Sequence, residues 1–391
     1  MSVPVPPPDW TYERRYRQRH TPGYYCRDEM VSMLQKAIRR GLVPRAIFAM
    51  KELYLCDDGL LPPTTIRTNL LNRLAAVVSE DIGIANPTLC VNVRRVLHLD
   101  DFRSNPPSLE NIARVVQTLC QSSKCREVDE IIHVAMHTSE EHVARYDPGT
   151  GDAMPQRPFR PQKGDPDELV GFMNKFLVHL ERGDALPAAY WAQKVFAMNG
   201  SCARRNTSKG KSTKGIYAVW QSLFRKNRSN YRDVDLRRDT ISLKIMQTLK
   251  FFFDRRKNGR TERLPLVHAI MFACEGDLLR RDDPDFLPRL SGASKKLLRE
   301  HVKVTVPDWV LDKHTRRGKS LGRGTAHFYD EGAVLVGKIR ESPYAADARR
   351  MDLSREQNRE TPAAGSYGKK RKQPLGGRRK NTRPLKRRKL Q

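Results

Sequence analysis

No run of about 18 consecutive apolar residues occurs in the 391-residue chain, so no transmembrane helix is expected. The opening segment Met1–Pro8 is rich in proline and lacks the charged-then-apolar order of a secretory leader. Cysteine is too irregular for a disulfide framework. Its seven positions, Cys26, Cys56, Cys90, Cys120, Cys125, Cys202 and Cys274, are an odd number spread through apparent helices, which fits reduced thiols in a cytosolic or nuclear setting. Strand patterning is scarce, and only Val302-Lys303-Val304-Thr305-Val306 alternates clearly. Acid is also in short supply: 44 Asp and Glu face 73 Lys and Arg, for a net charge of +29.

That excess implies long-range attraction to a polyanion under any fold. Part of it is a tail, because Lys369–Gln391 holds twelve Lys or Arg and no acid. Subtracting twelve from +29 leaves +17 for the preceding 368 residues, so the body is basic in its own right. The 38% hydrophobic content is enough to bury a sizeable core.

Breakers divide the chain. Residues 1–27 form an arm rich in Pro and then in Arg and Tyr, in which Trp10, Tyr12, Arg14, Arg15, Tyr16, Arg17 and Arg19 interleave aromatic and basic groups that can stack on bases and meet phosphates; a disordered leader is the simpler reading. Apolar spacing over 28–146 predicts five or six helices punctuated by Pro62-Pro63, Pro87 and Pro106-Pro107. The stretch 147–165 reads as a linker at a domain boundary. A second helical domain is expected over 166–335, with helices at Ile216–Phe224, Ile241–Phe253, Leu264–Cys274 and Ala293–Val302, followed by a disordered tail over 336–391. The expected fold class is therefore mostly α, in two multi-helix domains. Phe176–Ala192 can be laid over Gln35–Ala49 with one gap, which fits either an internal duplication with a period near 140 residues or two amphipathic hairpins sharing a Gly-Pro turn.

The most distinctive segment is Leu70–Pro87. Leu70, Leu71, Leu74, Val77 and Val78 recur at helical spacing, Gly83 stands where a left-handed cap would fall, and Pro87 forbids continuation. The run Ser79-Glu80-Asp81-Ile82-Gly83-Ile84-Ala85-Asn86-Pro87 resembles the S-E-D-I-G-x-A-x-P segment in the C-terminal helical region of clamp-loader-like AAA+ ATPases of the replication-associated recombination and Werner-helicase-interacting group. Upstream, Lys36-Ala37-Ile38-Arg39-Arg40-Gly41 and the helix after it resemble that family's K-S-I-R-G-S stretch and following helix, with Arg40 and Pro44 as departures. About 60 residues, Asp28 to Pro87, carry the likeness. The resemblance implies the oligomerising helical part of such an ATPase and a role in DNA replication or repair.

The motor is missing. A phosphate-binding loop needs G-x-x-x-x-G-K-[S/T], yet Arg205 and Lys313 occupy the first-glycine positions before Gly210-Lys211-Ser212 and Gly318-Lys319-Ser320. Both triplets read as basic loops, and no nucleotide cofactor is expected.

Candidate phosphate contacts are Arg204, Arg205, Lys209, Lys211 and Lys214 in one basic loop, and Arg225, Lys226 and Arg228 in a second. Further cations, Arg316, Arg317, Lys319 and Arg323, stand in the glycine-rich Pro307–Gly332, which resembles a C-terminal P-[DE]-[YW]-x-x-D-x-H-T-x-x-G-[KR]-x-x-G sequence of the same ATPase group. In that region Asp308 or Asp312 can fix His314, and His327, Asp330 and Glu331 lie just downstream. A metal-dependent DNA-processing site there is the alternative function, but so cationic a loop repels a metal, and a satisfied turn that docks a C-terminal peptide is the better reading. Cys120, Cys125, His133 and His137 form the other constellation. The interval from Cys125 to His133 is too short for a ββα finger and Val134 replaces the Glu of a His-Glu-x-x-His helix, so core cysteines and surface histidines are expected and no metal site is assigned.

In the tail, Lys369-Lys370-Arg371-Lys372 and Lys386-Arg387-Arg388-Lys389 are spaced like a nuclear-localisation signal. The expected function is a non-catalytic nucleic-acid-binding accessory factor in DNA replication, recombination or genome packaging, nuclear, with DNA favoured over RNA. It would self-associate or dock to an AAA+ partner, without a cofactor or a membrane; a virion-type or chromatin-type protein condensing nucleic acid is a further alternative.

Overall fold

The computed structural model describes residues 19–56, 66–146, 153–198, 202–207, 210–212, 214–231, 236–255, 260–276, 279 and 287–360. Within them the chain is mostly α-helical, as the poverty of strand patterning predicts. Helix α1 (Arg27–Arg39) buries Met30, Met33, Leu34, Ala37 and Ile38 along one stripe, with Asp28 and Glu29 in its first turn and Lys36 and Arg39 in its last, signs that suit the helix dipole. A turn at Gly41 reverses the chain into α2 (Val43–Leu55), which carries Pro44 in its first turn, where a missing N–H costs nothing. Then follow α3 (Ile66–Val77), α4 (Leu89–Val96), α5 (Leu109–Gln121) and α6 (Glu127–His137).

The second half opens with α7 (Asp167–Arg182) and α8 (Ala185–Ala197) and continues through a two-stranded hairpin, β1 (Arg205–Thr207) and β2 (Gly210–Ser212). After it come α9 (Ile216–Tyr231), α10 (Leu236–Arg255), α11 (Arg260–Cys274), α12 (Gly292–Arg299) and α13 (Ala345–Glu360). None of the described helices is long and apolar enough to cross a membrane. All seven cysteines are free thiols.

The hairpin likeness extends further than two helices. Helices α1–α5 and α7–α11 repeat the same neighbour relations: the first two pair, the second also touches the third and fifth, and the first touches the fifth. Gly41 and Gly183 follow the first helix of each set at φ +67° and +86°, and a Cβ on either would stand 3.3 Å from the Cys120 carbonyl or 3.2 Å from the Cys274 carbonyl, near the ends of α5 and α11. Beyond the repeat the two sets exchange helices, for α6 packs on α8 and α12 packs on α2.

This exchange corrects the expected boundary. One hydrophobic cluster runs from Met30 to Ala348 through both halves, so residues 153–166 turn the chain over a shared core and do not separate two cores. The second correction concerns the tail. Residues 336–360 are built into the fold: Val336 N–H donates to Arg39 O, Lys124 and Ile339 form a bridge, and α13 lies on α6. Third, Arg225-Lys226-Asn227-Arg228 is helical, inside α9, where Asn227 is buried and donates to Ser242 Oγ at 3.2 Å. Fourth, Gly210-Lys211-Ser212 is a strand and not a loop. Fifth, Val302–Val306 belongs to no sheet; Val304 N–H donates to Tyr25 Oη at 2.8 Å and no strand lies alongside.

Gly183→Ala should lower the unfolding free energy by about 1–2 kcal/mol in a urea titration, because its backbone sits in the left-handed region and the added methyl meets the Cys274 carbonyl. Gly171→Ala, inside α7 with nothing near the added methyl, should raise it by roughly 0.5–1 kcal/mol.

Candidate functional site

The two distinctive sequence segments meet in space. Arg39, the last residue of α1, is buried and donates Nε to Asp81 Oδ1 at 2.6 Å, Nη2 to Glu80 Oε1 at 2.9 Å and Nη1 to Gly332 O at 3.0 Å. Asp81 is fully buried. Its other oxygen accepts from Gln35 Nε2 at 2.9 Å, and Arg126 Nε stands 3.7 Å away. Burial pushes the Asp81 carboxyl above its ordinary range, against the pull of Arg39 and Arg126. One turn earlier on α1, Lys36 Nζ contacts Asp312 Oδ2 at 2.7 Å and donates to the carbonyls of Trp309 and Val310, each at 2.9 Å. Burial lowers this ammonium to about 8, while on Asp312 the Lys36 charge and the His314 N–H outweigh burial and hold the carboxyl below its ordinary range.

The remaining residues of the family-like motif also act inside the chain. Helix α3 gives way to a π-helical turn, Val78–Ile82, closed by Gly83 at φ +50° and ψ −133°; the sign of φ fits the expected cap, but the conformation is not the left-handed helical one. A side chain at Gly83 would press on Val128 Cγ2 at 3.1 Å. Ser79 Oγ lies 3.3 Å from Nδ1 of His268 on α11, a contact between the two halves. Pro87 is buried just ahead of α4.

Residues 307–332 make a strap over α1. Asp312 and Thr315 close a tight turn, in which Thr315 Oγ1 accepts from the Gly318 and Asp312 N–H groups, each at 3.1 Å, and Asp312 Oδ1 accepts from His314 N–H at 2.7 Å. A Cβ on Gly318 would stand 2.2 Å from Asp312 O, so this glycine serves close backbone packing and not a phosphate nest. Within the strap, Phe328 has Arg39, Arg126 and Lys313 within 6 Å of its ring centre and packs T-shaped with His314.

The carboxylates of the enzymatic alternative do not gather. Asp308 pairs with Arg323, Asp312 with Lys36 and Asp330 with Arg349, while His327 Nε2 contacts Leu311 O at 3.0 Å. Among the described residues no three His, Cys, Asp or Glu side chains stand where they could hold a metal ion. Cys120 and Cys125 are core residues whose thiols burial pushes up to about 12. The histidines are not on the surface, which corrects that expectation: His133 is buried and contacts Asp352 at 2.9 Å, and the half-buried His137 meets Arg355, both on α13. The glycine-rich irregularity of Pro307–Gly332 marked the strap as a turn that docks a C-terminal peptide; that this peptide is the polar helix α13 was not signalled by apolar periodicity.

The basic candidates separate into two kinds. In the strap, Arg316 pairs with Asp28, Arg317 with Glu29 and Arg323 with Asp308, leaving Lys319 exposed. In the second half, Arg204, Arg225 and Arg228 are exposed and Lys226 half-buried, with no ion pair to a described residue, and Lys214 has Glu262 at 4.0 Å. Arg205 leaves this surface. It is 2% exposed, and its guanidinium grips Asp165. Lys211 lies on β2, and Lys209 and the tail residues Lys369, Lys370, Arg371, Lys372, Lys386, Arg387, Arg388 and Lys389 lie outside the described residues, as do Trp10–Arg17.

Two measurements check this network. Arg39→Met strands the buried Asp81 charge and should cost about 3–5 kcal/mol of stability, and the double variant Arg39→Met/Asp81→Leu should recover much of that loss. His268 is wholly buried, and burial lowers it from 6.5 to about 3. It stays neutral in the folded chain while the unfolded chain takes up a proton below 6.5, so its stabilisation is complete above that pH and declines as pH falls towards 3. Relative to His268→Asn, wild type should lose about 2 kcal/mol between pH 7.5 and pH 5. Comparison with known proteins yields no matching family model, no matching curated protein and no matching solved structure, so the site is read from its own geometry.

Proposed function

We propose that this chain is a non-catalytic nucleic-acid-binding protein, an accessory factor in DNA replication, recombination or genome packaging, with DNA favoured over RNA. The observation that carries the reading is that Arg204, Arg225 and Arg228 are exposed and, with the half-buried Lys226, have no ion pair to a described residue. A solvated surface ordinarily intersperses its charges with opposite ones, as the strap does with Asp28, Glu29 and Asp308. Exposed cations with no acidic partner among the described residues instead raise the local concentration of phosphate. The resemblance of Asp28–Pro87 to clamp-loader-like ATPases supports a place in DNA metabolism, and with it self-association or docking to an AAA+ partner. The basic runs at Lys369–Lys372 and Lys386–Lys389 support a nuclear location.

The test uses the full chain with those eight tail cations replaced by glutamine. It should bind duplex DNA in an anisotropy titration, with log-affinity falling against log-salt by roughly 0.9 per neutralised phosphate. Arg204→Glu/Arg225→Glu/Arg228→Glu should weaken binding and flatten the slope, whereas Arg316→Glu/Arg317→Glu should do so less, since those cations already have acidic partners. Absence of binding at low salt overturns the reading.

A further inference from the structure

Residues 155–163 repeat a triplet, Pro-Gln-Arg, Pro-Phe-Arg, Pro-Gln-Lys, and the structure keeps the same period. The N–H groups of the middle residues are each held by a side chain: Gln156 by Glu181 Oε2 at 2.9 Å, Phe159 by Asn174 Oδ1 at 2.8 Å and Gln162 by Asp165 Oδ2 at 2.8 Å. Asn174 and Glu181 lie two turns apart on α7, about 10 Å along its axis, so two successive triplets are anchored to one helix. The third residues of the triplets, Arg157, Arg160 and Lys163, are all exposed.

Facing this wall across a cavity of about 510 Å³ stands α9 with Gln221 and Arg225, and Arg205 forms part of the lining between them. Among the described residues no carboxylate lines the cavity. Asp165 is engaged by Arg205, and the buried Nε of Arg205 has no hydrogen-bond partner among the described residues. The result is a cleft with arginines on both walls. One wall is fixed by prolines and by three backbone contacts, so ordering it on binding costs little.

We propose that this cleft holds the phosphodiester backbone of a single strand of DNA, with Arg157 and Arg160 on one side of the strand and Arg225 on the other. The proposal rests on the nucleic-acid reading above and adds to it the form of the ligand. Guanidinium groups fork onto phosphate oxygens, and the glutamine amides beside them offer donors and acceptors to sugar and base edges. A single strand bends its backbone into a small concave site more readily than a duplex, which is stiff over about 150 base pairs.

The test compares an oligothymidylate of about 15 nucleotides with a duplex of equal length, on the full chain with the eight tail cations replaced by glutamine. Arg157→Gln/Arg160→Gln/Arg225→Gln removes three exposed cations, and Lys295→Gln/Lys296→Gln/Lys303→Gln, also exposed, matches its charge elsewhere. The cleft variant should lose roughly tenfold or more in affinity for the single strand, with the salt slope smaller by about 2, and should lose less for the duplex; the matched variant should change both little. Equal weakening by the two variants, or an unchanged single-strand affinity in the cleft variant, overturns the cleft while leaving nucleic-acid binding in place. Failure of the parent chain to bind either probe overturns both readings.

Discussion

The pairing of Arg39 with Asp81 in a site closed to water is the constraint on which the rest of the structure depends. A carboxylate with no exposure is tolerable only when its oxygens are matched by donors, and Gln35 and Arg39 supply them from α1, with Arg126 nearby at the start of α6. Those donors fix the end of α1 against the π-helical turn after α3. The same Arg39 reaches Gly332, nearly 300 residues later, and Lys36 holds Asp312 and two strap carbonyls, so the strap is clamped to α1 by polar contacts. Ser79 then touches His268, extending the network into the second half. The buried polar groups of α1, the Ser79–Pro87 turn and the strap are thus directed largely to one another.

Placement of charge follows from this. Most cations near the network are matched to carboxylates: Arg316 and Arg317, though exposed, pair with Asp28 and Glu29, and Arg323 with Asp308. On the second half, α9 carries Arg225 and Arg228 exposed, with no ion pair to a described residue. The proline-rich segment over 153–166 closes a chain reversal on the shared core and at the same time presents its own arginines opposite α9. The cationic surface is therefore assembled from two stretches about 65 residues apart, one of which reads in isolation as a linker.

Legibility followed apolar periodicity. Helix α1 shows it plainly in Met30, Met33, Leu34, Ala37 and Ile38, and the end of α3 is marked by Gly83 and Pro87. Helix α13 shows little, since Ala348 is its fully buried apolar residue and its hold on the fold is polar, through Asp352 to His133 and Tyr329 and through Glu356 to the Thr325 N–H. Such a helix is hard to tell from a disordered charged tail before its partners are known. Arg225–Arg228 posed the same difficulty, because basic residues sustain a helix as readily as they fill a loop. Val302–Val306 carried a strand's alternation but found no strand edge to pair with.

Composition and spacing by themselves determined that the chain is mostly helical, that its body is basic apart from its tail, that its cysteines are free thiols and that both Gly-Lys-Ser triplets lack the glycine a phosphate loop needs. Local backbone preference and side-chain chemistry suffice for each of these. Which arginines face solvent was decided only by tertiary structure: Arg204 and Arg205 are adjacent in the chain, yet one is exposed and the other is sealed onto Asp165. The physical reason is that a guanidinium's availability depends on the carboxylates brought beside it, and these arrive from residues distant in sequence.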